Sequence, residues 1–391
     1  MSTGTLERGP LTLNVEGQTL DLKNRFQQYV LPGIIFQSVL IGGAYATGRE
    51  IVEYGAKFGA KGVWSILAIG AGFSLMAVLA YEFARIYRVY DYRHFLKSLI
   101  GPLWPLFDLI YVVMVVITIA VVSAASGRVV EEVLGWSYWA GVGLVIVLVG
   151  VLEAGGRQLI ERFKTVGSVV LYGGFVVFAG LVLAGTWDNV EAVFARGDAS
   201  YAGSVSVGFV LFTGILYVGY NLAVLPSTFF VLDYQTERRH TVWAGIITGL
   251  LATVPFILTY LAVLGHYPDA EVLGAQVPWL VMLGKVGGTG LVIAYTVVIL
   301  WTLVETCTGM IHAVVRRIDA NLEDLGRPVL SPVQTGALTV GVLVTAAILS
   351  RVGLIALVAQ GYGAMAYGFL LLFALPLLTI GLFRIVRQRH Q

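Results

Sequence analysis

The sequence predicts an all-α, polytopic membrane protein, and three observations carry that prediction. Of its 391 residues 58% are hydrophobic and 12% charged, with a mean hydropathy of +0.84, whereas soluble domains hold roughly a quarter charged residues. Apolar stretches of about 20 residues, the length at which a helix crosses hydrocarbon, recur along the whole chain. Lys and Arg crowd into alternate loops, as expected when those loops share one side of a membrane.

Taken in order, the first 29 residues are polar and mixed in charge. With no apolar core before a cleavage site, they read as an N-terminal segment and not as a signal peptide. Spans are predicted near 30–57, 63–86, 104–130, 137–154 and 160–185, which make a first five-helix unit over 30–185. A polar connection covers 186–204. A second unit over 205–384 holds spans near 205–232, 241–265, 288–315, 335–350 and 363–384, followed by a tail over 385–391. Two apolar stretches are too short to span. Val277 to Lys285 reads as a helical plug in a loop, and 354–362 as a small interfacial helix or an eleventh span.

With the N-terminus placed inside, 18 of the 25 Lys and Arg fall in inner segments and six in outer ones, with Arg49 inside the first span. That bias predicts a multi-pass protein of the cytoplasmic (inner) membrane with an even number of spans and both termini cytoplasmic. The single cysteine, Cys307, excludes an intrachain disulfide and a cysteine-based metal cluster. No phosphate-binding loop, H-E-x-x-H or G-x-S-x-G motif occurs. An ATP-driven pump and an intramembrane enzyme are therefore disfavoured, and neither a metal site, nor a cofactor, nor nucleic acid binding is expected.

The first span is interrupted: "IGGAYATGRE", 41–50, puts Gly42, Gly43 and Gly48 ahead of the pair Arg49–Glu50. The sixth, "VGFVLFTGILYVGYNLAVLPSTFFVL", 207–232, breaks at Gly219-Tyr220-Asn221 before Pro226. Irregular backbone at membrane depth is tolerated only inside protein or along a cavity. Interrupted helices in equivalent places of two halves point to the binding site of an inverted-repeat transporter.

These features, "IGGAYATG" and "GYNLAVLP" above all, resemble the amino acid–polyamine–organocation (APC) superfamily, whose fold is the LeuT-type 5+5 inverted repeat with discontinuous helices 1 and 6. Within it the YkvI-like permeases are the group most alike. The resemblance implies a secondary transporter of a small organic solute, an amino acid first, by cation symport, with nucleobases, organic cations and inorganic ions as alternatives. The chain departs from that pattern at "TGRE", where many amino-acid permeases carry a small apolar Gly-Ser-Gly-Ile-type run.

An unwound first span would start a new helix at Thr47, whose hydroxyl and Glu50 fit a capping box. Its N–H groups suit a carboxylate, and carbonyls of the preceding half-helix suit an ammonium group, together matching a zwitterion. The candidate substrate residues are thus Gly42, Gly43, Ala44, Tyr45, Thr47 and Gly48, with Tyr217, Tyr220 and Asn221 from the sixth span. Arg49 and Glu50 need partners at this depth. They read as a brace, a gate or a charge partner of the substrate. In the eighth span, "GLVIAYTVVILWTLVETCTGMIHAVVRRI", Glu305 lies near the middle with Thr302, Thr306 and His312 on its face. An intramembrane carboxyl is a functional site by default. In the resembling fold this place meets the first break at the coupling-ion site. Glu305 then carries a proton, the favoured reading, or ligates sodium beside Thr306. Some relatives replace that sodium with a mid-membrane lysine in the fifth span. Here Lys164 falls near that span's start, which leaves the coupling ion open.

Overall fold

A computed structural model describes residues 24–155 and 157–388, and every regular element among them is helical. The first span is in two pieces, α1 (Leu31–Leu40) and α2 (Arg49–Tyr54), with one turn, Ala44–Thr47, between them. Then follow α3 (Gly62–Tyr87), the short α4 (Tyr92–Ile100), α5 (Trp104–Leu134), α6 (Tyr138–Gly155) and α7 (Arg157–Arg196). The second half opens with α8 (Val207–Asn221) and a 3-10 segment, Leu225–Tyr234, bent 67° from it. It continues with α9 (Arg238–Leu264), α10 (Ala270–Gly274), α11 (Pro278–Asp324), α12 (Pro332–Leu349) and α13 (Leu354–Arg387). Among the described residues seven helices are long and apolar enough to cross a membrane, eight with the bent pair as one span, and Tyr138–Glu153 is a shorter apolar helix.

Three boundaries differ from expectation for local reasons. The 186–204 connection is helical as far as Arg196, because α7 continues with Val190 and Val193 buried. Asn189 also ties it down, its Nδ2 donating to the carbonyls of Leu264, Gly265 and Tyr267. The plug forms the first turns of α11, which kinks at Gly288, whose φ of 63° a side chain would resist. Residues 354–362 are no separate helix. They form the first turns of α13, with a π-helical stretch at Leu357–Tyr362.

Packing fixes the frame around the breaks. α9 lies along α3 so closely that a Cβ on Gly245 would stand 2.5 Å from the Val78 backbone nitrogen. Backbone cannot step aside as a side chain does. Gly245→Val is therefore expected to lower stability by about 1–3 kcal/mol, the usual cost of overpacking, read as a lower midpoint in thermal unfolding of the purified protein. α4 is fastened to the end of α11 by Arg93, which bonds Asp324, Asn321 and the Ala320 carbonyl.

Candidate functional site

The first break is a set of turns built on glycine. Ile41 leaves helical geometry at ψ 78°, Gly43 takes φ 49°, and Gly48 sits in the left-handed region at φ 83°. α11 closes on this loop. A Cβ on Gly42 would come within 2.6 Å of Thr306 Oγ1, and the same oxygen accepts from the Gly43 N–H at 2.9 Å. The expected meeting of eighth span and first break is thus a specific contact. Thr306 also donates to the Thr302 carbonyl, and Thr302 to that of Val298, each at 2.9 Å.

The capping box does not form. Gly48, not Thr47, precedes α2, and Thr47 Oγ1 accepts from the Arg49 N–H at 3.1 Å. That shift of one residue turns Glu50 toward the sixth span, where its Oε2 accepts from the Tyr220 hydroxyl at 2.6 Å. The bond joins the two broken helices. Tyr220 in turn stacks on Tyr362 of α13, with centroids 4.8 Å apart. Asn221 donates to the Tyr217 carbonyl and so caps its own helix end.

Gly42, Glu50, Tyr220, Asn221, Thr302, Glu305 and Thr306 all line one cavity of about 560 Å3. The cavity extends to Tyr92, Arg316 and Arg317, at the end of the molecule where α4 packs against α11. There the Arg317 guanidinium lies 3.9 Å from the Tyr92 ring centre and 3.7 Å from that of Tyr111, and pairs with Asp108.

The other end of the break is shut. Arg49, 5% exposed, donates to the carbonyls of Leu273 (2.7 Å) and Ala275 (3.1 Å) and to Glu53, which also holds Lys57. Trp279 of the plug is fully buried against Gly48 and meets Phe175 edge-on at 5.1 Å. Tyr295 bonds the Ala46 carbonyl from the same side.

The remaining predicted residues fall outside the cavity lining. Gly43, Thr47 and Gly48 shape the turns, Tyr45 is buried and packs near Phe175 in this seal, and the side chain of Ala44 lies outside the described residues, as does that of Lys164. Arg49 points away from the cavity, so its expected role as a substrate partner meets no geometric support in this state. Tyr217 stands behind Tyr220 among Tyr54, Phe73 and Phe256. His312 is exposed. At 100° per residue, the cavity face of α11 runs from Glu305 through Gly309 and Met310, and His312 falls about 20° beyond its edge. Sequence reasoning missed Tyr362, Tyr111, Tyr92 and the Asp108–Arg317 pair. The tyrosines in and around the 88–103 segment were the one available signal.

No protein-family model matches the chain. It is 22% identical over 343 residues to the uncharacterized membrane protein YkvI of Bacillus subtilis (strain 168), covering 85% of this chain and 90% of that protein. Among solved structures it is similar to a substrate-bound, outward-open Na+-coupled sialic acid symporter, with a TM-score of 0.54 at 12% identity over 93% of this chain and 86% of that one. The fold is of the LeuT type. A manganese transporter of Eremococcus coleocola agrees, with a TM-score of 0.50 at 13% identity over 96% and 81% of the two chains. In LeuT-type terms α1–α2 is the broken helix 1, and α8 with its 3-10 extension the broken helix 6.

Proposed function

We propose that the chain is a secondary active transporter of a small organic solute, amino acids being the first class, working by alternating access. One observation carries this reading: the two broken helices meet at a single cavity that is open at one end and sealed at the other by Arg49 and Trp279. Transport needs this asymmetry to be reversible, and helices interrupted at the site are the common means. With the loop charges orienting the chain in the cytoplasmic membrane, the open end faces the cytoplasm and the sealed end the outside.

A proton is favoured over sodium as the coupling ion. Glu305 lines the cavity one residue from the contact that joins α11 to the break, and one acceptor site of the neighbouring Thr306 hydroxyl is already taken by the Gly43 N–H.

Purified protein in proteoliposomes preloaded with unlabelled amino acid is expected to accumulate labelled amino acid transiently by counterflow. Saturable binding without counterflow would mark a non-transporting receptor and end the transport reading.

A further inference from the structure

Two carboxyl groups, Glu50 and Glu305, line the depth of the cavity. The cations of its lining among the described residues, Arg316 and Arg317, stand 11 and 12 positions beyond Glu305 on the same helix, about 17–18 Å away along the axis. Arg317 is already held between two tyrosine rings and by Asp108. Arg49 is turned into the outer seal. A solute that reaches Tyr220 and Asn221 therefore meets the Glu50 carboxyl group and aromatic faces. Nor does α2 offer a carboxylate a helix end: it has six residues, and the Arg49 N–H is taken by Thr47. Among the described residues Glu50 has one hydrogen-bond donor, Tyr220. A carboxylate buried at the sealed end of the cavity with a single neutral donor is costly, and a cation beside it offsets part of that cost.

We propose that Glu50 binds a positively charged nitrogen of the solute, walled by the stacked rings of Tyr220 and Tyr362, and that a solute carboxylate plays no part in recognition. The substrate class is then small organic ammonium ions, with amino acids bound by their amine end. An ammonium group gains charge-assisted hydrogen bonds from Glu50 and cation–π attraction from the tyrosines. Glu305 is left to the coupling ion. The proposal rests on the transport reading only in taking this cavity as the solute site.

The test uses the full-length protein in detergent and measures binding by calorimetry for matched triplets. Each triplet holds an amino acid, its decarboxylated amine and its N-acetyl derivative, across alanine, leucine and phenylalanine. For at least one triplet the amine is expected to bind as tightly as the amino acid or more so, and the N-acetyl compound roughly thirtyfold more weakly, the effect of losing a charge-assisted contact. Glu50→Gln is expected to weaken the amine by a similar roughly thirtyfold factor, with Glu50→Asp recovering part of it and thermal unfolding unchanged. Binding of the N-acetyl compounds in preference to the amines, binding by no amine, or native-like amine affinity in Glu50→Gln would each overturn the proposal. Amine binding through Glu50 without counterflow would sink the transport reading alone. Counterflow of a solute with no cationic nitrogen would sink this one alone.

Discussion

Arg49→Gln is expected to unseal the outer face and raise the labelling of a cysteine placed beneath it by at least about tenfold. The guanidinium holds two loop carbonyls and Glu53 at once and is nearly buried. Hydrogen bonds from a charged donor contribute about 1.5–3 kcal/mol each. Glutamine can replace one of them and leaves the others without a charged donor. A closed state weakened by about 3 kcal/mol relative to an open one shifts their ratio roughly a hundredfold. The measurement uses Cys307→Ser as background, since that residue is the chain's only cysteine and buried. Ala46→Cys, at a position 1% exposed under the seal, serves as the reporter. A membrane-impermeant maleimide added from outside reads its rate. Arg49→Lys keeps the charge but loses the planar fork that spans two carbonyls, so its rate should fall between. Equal labelling rates in native and Arg49→Gln backgrounds would show that the contact braces a loop and gates nothing.

Much of this arrangement is legible in the residues because it follows from short-range rules. Apolar length gives the spans, and the glycine-rich "IGGAYATG" and "GYNLAVLP" mark the breaks. One helix turn relates Thr302, Glu305 and Thr306. The directions of Arg49 and Glu50 are not legible in this way. Adjacent residues on a helix point about 100° apart, so one can serve the seal and the other the cavity. Which does which is set by whether the helix starts at Thr47 or Gly48, a matter of one left-handed residue. Tyr217 and Tyr220 look equivalent for the same reason. Only the end of α8 at Asn221, and the ring of Tyr362 arriving from 142 positions away, decide that Tyr220 faces the cavity. The Arg317 cage is a tertiary fact, made by α4 and α5 closing on α11, and no local pattern encodes it.

Glu305→Gln is expected to abolish gradient-driven uptake while exchange continues. A carrier of one proton per solute converts each unit of pH gradient into about a tenfold concentration ratio of a neutral solute, or of a charged one with the membrane potential clamped at zero. Glutamine has nearly the shape of the protonated acid but cannot release the proton. The variant therefore resembles a permanently loaded carrier: it can still cross between states with solute bound, and counterflow survives. It cannot return energy from the gradient, so the accumulation ratio falls to about one. Glu305 is suited to this role by position. It is half-buried at the cavity wall, and its neighbour Thr306 accepts from the Gly43 N–H, so the group that gains or loses charge adjoins the contact between α11 and the first break. A charge change there acts on a joint that alternating access must flex. The control is the ion itself. Replacing sodium with potassium, with the membrane potential clamped at zero, should leave native uptake unchanged, whereas collapsing the pH gradient should remove it. Full proton-driven accumulation by Glu305→Gln would take the proton away from this residue, and uptake that follows the sodium gradient would turn Glu305 and Thr306 into ligands of that ion.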